Sequence, residues 1–235
     1  MRNIIFSTSL ILLFILSSCS KGVDPGPEFE ELALTSFDDL KVGDVLQYTL
    51  FSGENYFDQD NQKFDYTDDY LNVEIIEILT NGYRVKEWID NSSNMFNTTD
   101  NYYYHDKNEV YYNDWIIVGD EIRIEKTTED YNASHLFIDK FSTLIFDLDE
   151  FNGEEIEITS WKTDRAFSES DADFYVKDFE LLDNVYDHLN VVVRDGPMAA
   201  DGNGNTYLYS QEAGFVRSVT YSAWTGRGLG WDRLR

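Results

Sequence analysis

Cysteine is nearly absent: the 235-residue chain has one, Cys19. A single thiol excludes an internal disulfide, so any folded domain here depends on packing alone. Histidine is scarce as well. His105, His135 and His188 lie far apart, with no His-Glu-x-x-His and no His/Cys cluster at zinc spacing. Each reads as a turn or surface residue. Positive charge is short, with 18 Lys and Arg against 45 Asp and Glu and a net charge of −27. Such a surface repels phosphate backbones and anionic headgroups, which argues against nucleic acid and peripheral lipid binding. Also missing are a Gly-x-Ser-x-Gly elbow, a phosphate-binding glycine loop and a dinucleotide fingerprint. The apolar stretch Ile4–Leu16 is interrupted by Ser7, Thr8 and Ser9. It falls short of the roughly 20 apolar residues that a helical span needs.

That stretch follows Met1-Arg2-Asn3 and runs into Leu16-Ser17-Ser18-Cys19. A short positive start, a brief apolar core and small residues before a cysteine resemble a bacterial lipoprotein signal. The resemblance implies that residues 1–18 are removed and that the Cys19 thiol and the new N-terminus carry acyl chains such as palmitate. It implies three chains, where two already make a stable anchor. The competing reading is an ordinary secretory signal with Cys19 incidental, but a free thiol is a liability in an exported protein. Residues 19–36 read as a flexible tether. They hold Pro25 and Pro27, two of the three prolines, with Gly22, Gly26 and several acids and no hydrophobic period. The folded part is expected over 37–235.

Aromatic residues are plentiful, with 16 Tyr, 16 Phe and 5 Trp, and they favour pleated, half-buried surfaces. The runs Leu71–Leu79 and Tyr83–Ile89 flank Thr80-Asn81-Gly82, which predicts a hairpin with a type I′ Asn-Gly turn. A second hairpin is expected between Tyr102–Tyr104 and Val110–Tyr112. A third joins Thr206–Tyr209 to Phe215–Tyr221 through Gln211–Gly214. In its second strand, alternation places Phe215, Arg217, Val219 and Tyr221 on one face. The only stretch that suits a helix is Tyr131–Phe146.

A short pattern recurs. Val42-Gly43-Asp44 precedes Val45–Tyr48, Val118-Gly119-Asp120 precedes Glu121–Ile124, and Asn152-Gly153-Glu154 precedes Glu155–Ile158. A glycine turn, then an acid, then an alternating strand explains it structurally. The alternative is three equivalent ion sites, but the irregular spacing is not that of a repeat architecture.

The first copy, within Leu40–Tyr48, resembles the opening of many exported β-proteins. Leu144–Leu148 and Tyr207–Val216 are similar to segments of the same loose group, the β-rich outer-membrane lipoproteins of Bacteroidota-type bacteria. The resemblance implies an all-β domain and an outer-membrane location, and it carries over no catalytic residue.

Three kinds of chemistry have candidate residues. Asp201, Asn203, Asn205, Tyr207 and Glu212 stand at positions one, three, five, seven and twelve, the ligand spacing of a calcium loop. Thr206 departs from that pattern where the loop wants glycine, and the plainer reading is a polar loop between strands. Among Trp88, Trp115, Trp161, Trp224 and Trp231, the pair Trp224 and Trp231 in the Gly-rich tail is expected to be partly exposed. That pair suits a glycan, although tryptophan in a β-protein is more often core. Carboxylates are numerous enough for a glycosidase-like pair, but the sequence singles none out.

The sequence therefore predicts one antiparallel β domain of roughly ten to twelve strands, a sandwich or a partly open barrel. The leading functional expectation is a lipid-anchored envelope protein that binds or scaffolds without catalysis. Glycan capture and a carbohydrate-active hydrolase are the alternatives. No cofactor is expected other than calcium. The expected partners are the membrane, through the anchor only, and a glycan or another envelope protein.

Overall fold

Alternation sets the first strand: Leu46, Tyr48 and Leu50 are buried on one face, while Val45 and Gln47 reach solvent on the other. The computed structural model describes residues 39–54, 63–90, 108–119, 121–126, 134–137, 143–147, 172–194, 203–222 and 227–234. These hold thirteen strands and, among the described residues, no α-helix. The strands are β1 (Val45–Glu54), β2 (Lys63–Leu79), β3 (Gly82–Asp90), β4 (Tyr111–Val118), β5 (Glu121–Lys126), β6 (Thr143–Asp147) and β7 (Ala172–Val176). Then come β8 (Phe179–Leu181), β9 (Asn184–Tyr186), β10 (Leu189–Arg194), β11 (Asn203–Ser210), β12 (Gly214–Ser222) and β13 (Gly228–Arg233). The expected signal and tether lie outside the described residues, as do Tyr102–Tyr104 and the third Gly-acid copy.

Eleven strands form one sheet in the order β6-β5-β4-β3-β2-β1-β13-β12-β11-β10-β7. Every pairing is antiparallel, and β1 pairs with β13, so the first and last strands join two meanders. The sheet curls until its halves face each other. Trp115 of β4 lies 5.5 Å from Phe215 of β12, ring centre to ring centre. Phe146 of β6 lies 5.5 Å from Tyr207 of β11 and 4.9 Å from Phe215. Edge-on and tilted contacts of this kind suit ring quadrupoles. The ends of the order, β6 and β7, do not pair among the described residues. The fold is thus a partly open barrel with an aromatic interior. The hairpin β8–β9 forms a separate small sheet. Its Phe179, Leu181 and Tyr186 pack with Leu189, Val191, Leu208 and Val216 in a second core outside the curl.

Three local expectations are corrected. Leu79 pairs with Gly82, so Thr80 and Asn81 form the turn and Gly82 already belongs to β3, with φ +150°. A methyl group at Gly82 would run into the Trp115 carbonyl oxygen. Ile117 donates its amide to the Asn81 carbonyl at 2.6 Å, so contact with β4 fixes the turn one residue earlier than expected. A type I′ pattern appears instead in β8–β9, where the loop residues Leu182 and Asp183 have φ +48° and +65°.

In β12 the register shifts opposite Leu208/Tyr209. Phe215 therefore joins the interior, while Arg217, Val219 and Tyr221 face outward. A bulge moves one residue to the other face in this way.

The expected helix over Tyr131–Phe146 is also overturned where it is described. Residues 134–137 make a bend and Thr143–Phe146 belong to β6. The amides of His135 and Leu136 donate to the Glu87 carboxylate. The first two Gly-acid copies behave as turns before strands, with φ +94° at Gly43 and +62° at Gly119.

Candidate functional site

Three polar constellations stand out, two buried and one half-exposed. The first centres on Glu87 of β3. Alternation puts it on the same face as Tyr83 and Val85, inside the curl and fully buried. Its carboxylate accepts from Asn113 Nδ2 at 2.7 Å, from Ser134 Oγ at 2.9 and 3.0 Å, and from the amides of His135 at 2.7 Å and Leu136 at 3.1 Å. Burial raises its pKa, and these hydrogen bonds oppose the rise. Ser134 Oγ also accepts from the Phe137 amide at 2.9 Å. Phe137 is thereby held in the interior, 4.9 Å from Phe215 and 5.6 Å from Tyr207. His135 is buried with its neighbours. Its Nε2 is 2.9 Å from the Glu109 carbonyl and its ring packs 4.4 Å from Tyr111, so of the two expected settings, turn or surface, it sits in a bend but is buried. His188 is exposed, as expected, and pairs with Asn190.

The second constellation lies on the outer face, where Arg217 of β12 sits opposite Asp232 of β13. Arg217 Nε and Nη2 each donate to Asp232 at 2.6 Å, and Tyr66 of β2 donates its hydroxyl to Asp232 Oδ2 at 2.7 Å. The guanidinium lies 4.8 Å from the Phe51 ring, 5.1 Å from Phe64 and 6.0 Å from Phe179. Burial, then the Asp232 charge, pushes the Tyr66 phenol well above its usual range, so it stays a neutral donor. This bidentate pair ties the last strand to β2 and to the outer hairpin. In both buried constellations the carboxylate is taken up by donors of its own chain, while Asn113 Oδ1 is buried beside Glu87 without a hydrogen-bond partner.

The third constellation is on the outer face of β1–β3. Asn72 of β2 is 4% exposed. Its Oδ1 accepts from Gln47 Nε2 at 3.0 Å and its Nδ2 donates to Asp90 Oδ2 at 2.7 Å. Asp90 Oδ1 accepts from Trp88 Nε1 at 3.1 Å. Lys86 holds its ammonium 4.7 Å from the Trp88 ring centre and 3.7 Å from Glu74. The buried amide thus orders a half-exposed row of indole, carboxylate and amide.

The predicted sites fare differently. Cys19, Asp201 and Trp224 lie outside the described residues. Trp231 is fully buried in the interior cluster, not partly exposed. Asn203, Asn205 and Tyr207 lie along extended β11, Tyr207 in the aromatic interior, and Glu212 is in the turn after the strand. At about 3.3 Å per residue the strand spreads these positions apart, so they do not converge as a calcium loop does. Among the described residues, no three His, Cys, Asp or Glu side chains are grouped to hold a metal ion.

No protein-family model, curated protein or solved structure matches the chain.

Proposed function

We propose that this chain is a lipid-anchored bacterial outer-membrane protein, displayed at the cell surface, whose β domain works by binding and not by catalysis. The anchor rests on Leu16-Ser17-Ser18-Cys19. One observation carries the binding reading: the fully buried carboxylate of Glu87 is occupied by donors that hold the bend at 134–137. A general acid or base needs a proton path to a substrate, and Glu87 faces its own chain. The closed Arg217–Asp232 pair supports the same reading. The Asn72 row sets polar groups in fixed order toward solvent.

Fractionation and protease shaving of intact cells test this. The wild-type chain should sediment with outer membranes and be cut by added protease, and Cys19→Ala should leave the membrane fraction. Continued sedimentation of Cys19→Ala would overturn the anchor. Protection from protease until lysis would overturn the surface location.

A further inference from the structure

We propose that the outer face of β2–β4 carries a saccharide platform built on Tyr70, Trp88 and Tyr112, with a neutral glycan chain as its ligand. This rests on the binding reading above and names the ligand class and the residues. The register places the three rings on one face. Tyr70 is opposite Asp90, Trp88 is opposite Asn72, and Lys86 is opposite Tyr112. Each aromatic is therefore a diagonal neighbour of the next across adjacent strands, a separation of about 7–8 Å. One ring per strand makes an oblique track. Tyr70 and Trp88 are half-buried, and Tyr112 is 37% exposed.

The chemistry along this track suits a sugar. The face of an aromatic ring is electron-rich and attracts the C–H face of a pyranose. Beside the rings, Gln47 and Asp90 offer amide and carboxylate groups to hydroxyls. Buried Asn72 holds both in place, so little side-chain freedom is lost on binding. An outward-facing asparagine buried beneath such a row has no role in the interior core, which lies on the opposite face. The net charge of −27 disfavours polyanionic glycans, and Glu74 and Asp90 add local negative charge. Lys86 holds its ammonium over the Trp88 ring, and a sugar docking there takes its place while the ammonium stays near Glu74.

Affinity electrophoresis of the Cys19→Ala chain, in gels containing laminarin, galactomannan, xyloglucan or amylopectin, tests the platform. Polygalacturonate and chondroitin sulfate serve as polyanionic controls. Retardation on at least one neutral polysaccharide is expected, with none on the polyanions. Trp88→Ala should weaken it by roughly tenfold or more, as for a central aromatic anchor. Tyr112→Ala should weaken it less, Trp88→Phe should retain most of it, and Lys86→Ala should leave it equal or stronger. Melting temperatures should stay within ~2 °C for Tyr112→Ala and Lys86→Ala, which carry the test if Trp88→Ala is destabilised. The platform is overturned if no neutral gel retards the chain, if the polyanions retard it more, or if Trp88→Ala and Tyr112→Ala migrate as wild type. New reducing ends in the gel would instead overturn the non-catalytic reading, and the membrane fractionation above tests the anchor separately.

Discussion

Glu87 on β3 accepts a hydrogen bond of 2.7 Å from the backbone amide of His135, 48 residues further along the chain. That contact holds a bend which places Phe137 among Trp115, Phe146, Tyr207 and Phe215. Its removal should open the interior. Glu87→Ala strands the Ser134 hydroxyl and the His135 and Leu136 amides, with an expected loss of about 3 kcal/mol. Urea denaturation measures it; a loss below about 1 kcal/mol would mean that the bend is held elsewhere.

The same carboxylate has a pH signature. Burial raises its pKa in the folded chain above the ordinary 4.5. The folded state therefore holds this proton more tightly than the unfolded state. The stability it contributes is complete below the ordinary value and is lost as pH rises through the raised one. Glu87→Gln removes this dependence. The wild-type stability minus that of the variant should fall as pH is raised from about 4 to about 8. A flat or rising difference in urea melts would contradict the assignment.

The Arg217–Asp232 pair makes a distinct prediction, because a buried ion pair costs most when half of it is removed. Asp232→Asn should destabilise by about 3–5 kcal/mol, whereas Arg217→Met with Asp232→Leu should recover much of the loss. Thermal melts of the single and double variants compare them. Equal losses in both would mean that the pair itself is a net source of stability.

In the β8–β9 turn, Leu182 has φ +48° although bulky side chains disfavour that region. Replacing Leu182-Asp183 by Asn-Gly suits a type I′ turn and should add about 1 kcal/mol. A lower melting temperature would show that the contact of Leu182 with the outer core outweighs the backbone strain.

Much of the fold was legible in the sequence. Alternation in Leu71–Leu79 and Tyr83–Ile89 and the glycine turns at Gly43 and Gly119 follow from local chemistry, and these elements form as read. The misreadings arise where distant partners decide. The turn at Thr80-Asn81 is set by β4, the face of Phe215 by a bulge, and the bend at Ser134 by a carboxylate on β3. Residue spacing suggests a calcium loop over Asp201–Glu212, but Asn203, Asn205 and Tyr207 occupy alternate positions of extended β11, which spreads them along a line. Trp231 stood in a glycine-rich tail that looked exposed. Pairing between β1 and β13 carries it into the interior, and nothing local signals a contact between the two ends of the chain. Trp88 was one tryptophan among five. The polar Asn72 opposite it was the available clue, and the bulge at Ile75/Glu77 shifts that register by one residue.

The most direct test of the central claim is the intact mass of the mature chain extracted from outer membranes. The expected result is a polypeptide that begins at Cys19 and carries the added mass of a lipid anchor. A chain that retains residues 1–18, or that begins elsewhere with no lipid on Cys19, would contradict it.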